Sequence, residues 1–229
     1  MRKAVGRDPS FQLAAAHRLA RDLVAAAELL GEKPDPMWLD VERRLPQFTV
    51  GEGGIQLFEG QPFVESHRHH SHMAGLYPFD TIDLSDADVR RTVEATYRTW
   101  TGKGTGFWTG WCVPWASILH THAAHPVAAV HLLRAWDGFY CDDGHGSHHN
   151  AVRDGFTAWT HGNGIMQMDG QCAAATAVME LLVHEVNGKV EYFRGCPAGW
   201  KDVSFENIRL SDGTAVSGRR VDGKVEIFR

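Results

Sequence analysis

Trp111-Cys112-Val113-Pro114-Trp115-Ala116-Ser117-Ile118-Leu119-His120-Thr121-His122-Ala123-Ala124, then His125, then Pro126-Val127-Ala128-Ala129-Val130-His131-Leu132-Leu133-Arg134-Ala135-Trp136, decides how this chain folds. Two apolar helical segments, Trp111 to Ala124 and Pro126 to Trp136, are joined only by Ala124-His125-Pro126, and proline suits a first helical position. The expectation is an antiparallel helical hairpin. Upstream, Phe11, Leu13, Ala16, Leu19, Leu23, Ala27 and Leu30 recur at helical spacing between Pro9 and Gly31, with Asp8 as a start and Gly31 as a stop. A shorter helix is expected from Pro36 to Leu45, and another from Ser85-Asp86-Ala87-Asp88-Val89 to about Thr101, closed by Gly102.

Downstream, Asp137 to Met168 shows no period, and Asp142-Asp143-Gly144-His145-Gly146-Ser147-His148-His149-Asn150 is polar and glycine-punctuated. Helix returns from Gln171 to Glu185. The C-terminal stretch alternates apolar and polar, as in Val203-Ser204-Phe205-Glu206-Asn207-Ile208 and Val225-Glu226-Ile227, with turns at Ser211-Asp212-Gly213 and Asp222-Gly223. The fold class is therefore mainly α with a small β appendage. A helical domain is expected over residues 1–188 and a β-rich segment over residues 189–229.

Composition narrows the function. With 229 residues, 43% hydrophobic and 22% charged, the chain supports a sizeable core, and a net charge of −5 attracts neither nucleic acid nor an anionic membrane surface. Met1-Arg2-Lys3-Ala4-Val5 leads into a polar helix without a signal-peptide core, so the chain as written is expected in the cytoplasm, an exported longer parent being the alternative. Cys112, Cys141, Cys172 and Cys196 are widely spaced and form no C-x-x-C pair, so they read as small core or near-core residues rather than a disulfide framework.

Function concentrates in Ser66-His67-Arg68-His69-His70-Ser71-His72-Met73-Ala74-Gly75-Leu76-Tyr77-Pro78, where four histidines and an arginine fall within six positions. Imidazole donates, accepts and ligates, and guanidinium offers a planar fork of donors, so a carbohydrate, an anion or a metal could meet this segment. The histidines could equally hydrogen-bond loop carbonyls and cap helices. A zinc site shared with His145, His148 or His149 needs three or four converging neutral nitrogens. These histidines include no i, i+4 pair with a helical carboxylate, so no metal and no cofactor is expected.

The run His67-Arg68-His69-x-Ser71-His72 followed by Gly75-Leu76-Tyr77-Pro78 resembles the catalytic-domain signature of glycoside hydrolase family 95, the inverting 1,2-α-L-fucosidase type. The likeness continues in order through Gly110-Trp111, Gln167-Met168-Asp169-Gly170, Pro197 and Trp200. It implies an (α/α)6 toroid with a C-terminal β domain. The roughly six helices expected here are half of a full toroid, so the fold it implies is a partial (α/α)6 toroid of paired antiparallel helices followed by an antiparallel sheet.

By matching position, the resemblance has Arg68 and His69 hydrogen-bond sugar hydroxyls, with His67 and His72 beside them in the substrate-binding set. It gives Asp169 the catalytic task of polarising an asparagine that positions the attacking water, although Asp169 is also an ordinary N-cap candidate. The family commonly continues Asn-Phe-Gly after that Asp-Gly, where this chain has Gln171-Cys172-Ala173. Trp111, with Trp115 one turn on, offers either a stacking platform for a pyranose or a buried stripe, and His161 is a pocket candidate because His161-Gly162-Asn163-Gly164 precedes Asp169.

Inversion needs a protonated carboxylic acid at the leaving oxygen and a base that activates water on the opposite face. The family's acid lies in a Ser-Pro-Glu-Asn motif and its base asparagine further upstream, and no Ser-Pro-Glu-Asn occurs in this sequence. Glu59 and Glu65 are the alternative acids, with solvated carboxylates the commoner outcome. The expectation is part of a fucosidase-like glycoside hydrolase, inactive by itself, whose partner is an oligosaccharide or glycoconjugate. The alternative is a non-catalytic carbohydrate-binding or self-associating helical domain, a homodimer forming through the exposed half-toroid face.

Overall fold

Pro9 holds an extended backbone just before the first apolar stripe, and helix α1 (Ser10–Leu30) begins there in the computed structural model, which describes residues 6–161 and 164–228. Gly31, at φ 70°, ends α1 by donating to the carbonyls of Ala27 and Glu28, as expected of a left-handed C-terminal glycine. The stripe itself is split. Leu13 and Ala27 are buried, whereas Phe11, Leu19 and Leu30 are exposed, because the enclosed face also runs through Ala14, His17 and Ala20.

His17 explains that shift. Its Nδ1 lies 2.7 Å from Glu42 Oε1 and its Nε2 3.1 Å from the Pro46 carbonyl, fastening α1 to α2 (Pro36–Arg44). Asp35 caps α2 by accepting from Met37 N–H at 2.8 Å, with Pro36 at the first position. A two-residue ribbon, β1 (Val50–Gly51) with β2 (Gly54–Ile55), then meets α3 (Ala87–Gly102), where Ile55 N–H donates to Thr96 Oγ1 at 2.8 Å. Asp86 caps α3, so the acidic start read from sequence is the one the helix uses.

The chain packs as two compact units, one ending at Gly104 and the other starting at Thr105. In the second, α4 (Cys112–His122) and α5 (Pro126–Tyr140) form the expected hairpin, with α5 one turn longer than its pattern suggested. Helix α6 (Met168–Leu182) starts earlier and ends earlier than expected. Residues 183–186 are strand, not helix: β3 (Val183–Val186) pairs antiparallel with β4 (Lys189–Tyr192) across Asn187-Gly188, both at positive φ. That two-residue Asn-Gly turn outweighs helical propensity.

Strands β5 (Asp202–Arg209), β6 (Ala215–Val221) and β7 (Lys224–Phe228) form an antiparallel sheet in that order, bulged between Phe205 and Ile208. The Asp222-Gly223 turn closes β6 on β7 as its sequence predicts. Phe205 and Val216 share one core with Ala129 and Val130 of α5, Leu181 of α6, and Phe193. Burying one of its valine, leucine or phenylalanine side chains contributes about 1.5–3 kcal/mol. Cys112, Cys141 and Cys196 are buried free thiols, but Cys172 is exposed on α6, against the expectation of four near-core cysteines. Six helices and three small antiparallel sheets make the described residues mainly α with a small β part, consistent with the expected partial (α/α)6 toroid. No helix among the described residues is long and apolar enough to cross a membrane.

Candidate active site

The histidine-rich segment of the first unit holds a single turn of 3-10 helix at residues 71–73, and its imidazoles diverge. His70 and His72 are buried; His67 and His69 are exposed and Arg68 is half-buried. His70 Nδ1 accepts from Trp100 Nε1–H at 3.1 Å, so this histidine is a core residue that ties the segment to α3. His72 stacks on Phe63 with ring centroids 4.5 Å apart, and among the described residues neither ring nitrogen has a hydrogen-bond partner. Burial pushes the His72 imidazole down to about 3, so it is neutral at ordinary pH.

On the outer side of the same segment, His69 N–H donates to His67 Nδ1 at 3.0 Å, which folds the two rings to within 5.0 Å around Arg68. Burial first, then the charges of His67 and Arg68, hold the His69 imidazole below its ordinary value, favouring the neutral form that both donates and accepts. No ion pair among the described residues holds Arg68. His67, Arg68 and His69 therefore present five-membered rings and a guanidinium fork to solvent, a set of donors and acceptors suited to sugar hydroxyls. Glu59 and Glu65 are exposed, Glu59 lying 3.7 Å from Arg7 Nε.

In the second unit, three distant stretches meet. Trp111 N–H donates to Gln167 Oε1 at 3.0 Å, Gln167 N–H donates to the Ser147 carbonyl at 2.8 Å, and Gly110 N–H donates to the His149 carbonyl at 2.9 Å. Gly110 has no room for a side chain, since a Cβ there would fall 2.0 Å from the His148 carbonyl oxygen. Gly170 is buried against the Trp111 backbone. Asp169 is thus fixed between two anchored neighbours, exposed in the first turn of α6, with Oδ1 accepting from Gly170 N–H at 3.0 Å. It is not the N-cap: Gln167 occupies that position and spends its side chain on α4 instead.

Trp111 and Trp115 stack at 5.2 Å and 21°, both half-buried, so the pair is partly core and partly surface. Asp142 organises the glycine-punctuated loop by accepting from Gly144 and Gly146 N–H and pairing with His148 Nε2 at 2.7 Å. The His148 hydrogen bond is the main reason the Asp142 carboxyl sits below the usual range. His161 turns to Asp154, at 2.9 Å, rather than being anchored to the Asp169 stretch; Gly162 and Asn163 of its motif lie outside the described residues. In sequence, Asp142 and His148 are only members of one polar, glycine-punctuated stretch, and their pairing needs the fold. Gln167 lies inside the quoted Gln-Met-Asp-Gly motif, but its bond to Trp111 needs the fold.

A family model described as the glycosyl hydrolase family 95 catalytic domain matches residues 2–182, and the chain belongs to that family. It is also similar to alpha-L-fucosidase 2 of Arabidopsis thaliana, 24% identical over 234 aligned positions that cover 98% of this chain and 27% of that protein. The chain thus spans about a quarter of the length of the curated relative it matches.

Proposed function

We propose that the chain is one part of an enzyme that hydrolyses terminal α-L-fucosides, or the related α-L-galactosides, with inversion. Residues 1–188 make up part of the helical toroid in this reading, and residues 189–229 begin the β-rich domain. The observation that carries it is the placement of Asp169, whose carboxylate stands in solvent while Gln167 and Gly170 are locked against α4. A carboxylate held this way keeps lone pairs to orient an amide that positions water, and Arg68 with His67 and His69 supplies sugar-binding groups.

The acid and base come from outside these residues. A general acid needs an apolar enclosure to stay protonated, and Glu59 and Glu65 lack one. The test is fucose release from a 2'-fucosylated oligosaccharide, with Asp169→Ala and Arg68→Ala as controls. The expected result is no release by the chain alone. Turnover that both variants abolish would place the acid inside the chain and overturn this division of labour.

A second reading, self-association, is favoured by Leu29 and Leu30, 89% and 74% exposed at the end of α1. Sedimentation that finds only monomer would remove it.

A further inference from the structure

His122 at the end of α4, Glu180 in the last turns of α6 and His184 in β3 bring one ligand atom each to within 4.8 Å of one another. His184 Nδ1 is 2.8 Å from Glu180 Oε2, and His122 Nε2 is 3.7 Å from the same oxygen. The imidazoles meet edge to face, with centroids 4.3 Å apart and planes at 83°, so their nitrogens approach the carboxylate from different directions. All three are enclosed, with side-chain exposures of 5%, 18% and 8% in chain order.

From this geometry we infer a divalent transition-metal site, with zinc as its preferred ion and His122, Glu180 and His184 as ligands. Zinc binds imidazole and carboxylate at about 2.0–2.1 Å, which puts tetrahedral ligand atoms about 3.4 Å apart. The two edges to Glu180 Oε2, at 2.8 and 3.7 Å, bracket that value, and the His122–His184 edge lies within 4.8 Å, so side-chain rotation is needed to close the site. Two nitrogens and one carboxylate select a borderline metal over calcium or magnesium, which take oxygen ligands. A water would complete the four-coordinate set.

The framework is already held in place. Arg194 Nη2–H donates to the His122 carbonyl at 2.9 Å and its Nε–H to the Thr121 carbonyl at 3.2 Å, while the Glu191 carboxylate balances its charge. Glu180 and His184 are linked i, i+4 across the junction of α6 and β3. A bound ion would therefore clamp the end of α4 to the point where the helices give way to strands, a structural role independent of the sugar-facing residues.

The test uses the full chain, stripped with chelator and titrated with zinc against a zinc-binding dye, alongside His122→Gln, Glu180→Gln and His184→Asn. The amide variants keep a polar atom near each original ligand position without the imidazole or the carboxylate charge, and so preserve packing. Roughly one zinc per chain is expected, with affinity falling at least about tenfold in each variant and a zinc-dependent rise in melting temperature that the variants lose. Cobalt(II) bound to the unsubstituted chain should give the strong visible bands of a tetrahedral site, a readout that needs no variant to fold. The chain has 14 histidines, so His145→Ala and His148→Ala serve as controls. Zinc affinity unchanged in the three ligand variants, lost only in those controls, or accompanied by an octahedral cobalt spectrum would overturn the site and leave a hydrogen-bonded triad.

Discussion

Two regions gather histidines and acids in opposite ways. Residues 67–72 crowd four imidazoles into one stretch, yet the fold sends two outward and two into separate core contacts. In the second unit, groups far apart in sequence converge: Gly110 and Trp111 with Ser147, His149 and Gln167, and His122 with Glu180 and His184. Density along the chain did not produce a cluster in space. Convergence came from helix ends and loop carbonyls meeting, with backbone groups making most of the bonds.

The convergent corner breaks most sharply at Gly110. A methyl group there meets the His148 carbonyl oxygen, a backbone atom that cannot swing aside, so Gly110→Ala is expected to destabilise by about 2–4 kcal/mol. Gly102→Ala, where nothing lies within 4 Å, should change stability by less than about 1 kcal/mol. Chemical denaturation of both variants compares them, and equal midpoints would mean the corner is looser than its geometry.

A second effect, graded with pH and present in both units, comes from buried imidazoles. Burial pushes His72 down to about 3, and burial with the His125 charge does the same for His120, whose Nδ1 lies 3.2 Å from His125 Nδ1. Below the ordinary histidine value of about 6.5 the unfolded chain takes up protons that the folded chain refuses. Stability is therefore complete above about 6.5 and falls as pH drops toward 3, by up to about 1.4 kcal/mol per pH unit for each such histidine. His72→Phe, which keeps the stack on Phe63, should flatten that acid slope in unfolding curves taken at pH 7 and pH 5. A slope unchanged by the substitution would mean His72 takes up its proton in the folded state.

How much was legible follows from where each bond is made. The Asp86 cap, the Gly31 stop, the α4–α5 hairpin and the Asp222-Gly223 turn all rest on neighbours in sequence, and all were readable. The α6–β3 boundary departs from the expected helix because the Asn187-Gly188 turn, a local signal, favours a hairpin over helical continuity. Motifs supply Arg68, His69 and Asp169 only as candidates, and they carry no sign of the burial of His72, which depends on Phe63, or of the partnership of His161 with Asp154. The His122, Glu180 and His184 grouping lies beyond any local reading. Only the i, i+4 spacing of Glu180 and His184 offered a hint.

The most direct measurement is a fucose titration of the purified chain followed by NMR at the Arg68 guanidinium and the His67 and His69 rings, repeated on Arg68→Ala. That variant, at a half-buried position with no ion pair among the described residues, should alter stability by no more than about 0.5 kcal/mol. The predicted result is saturable shifts confined to residues 67–69 and their neighbours, strongly weakened in Arg68→Ala. Fucose that perturbs nothing in this segment, or that binds Arg68→Ala as well as the unsubstituted chain, would contradict the assignment of this surface to the sugar.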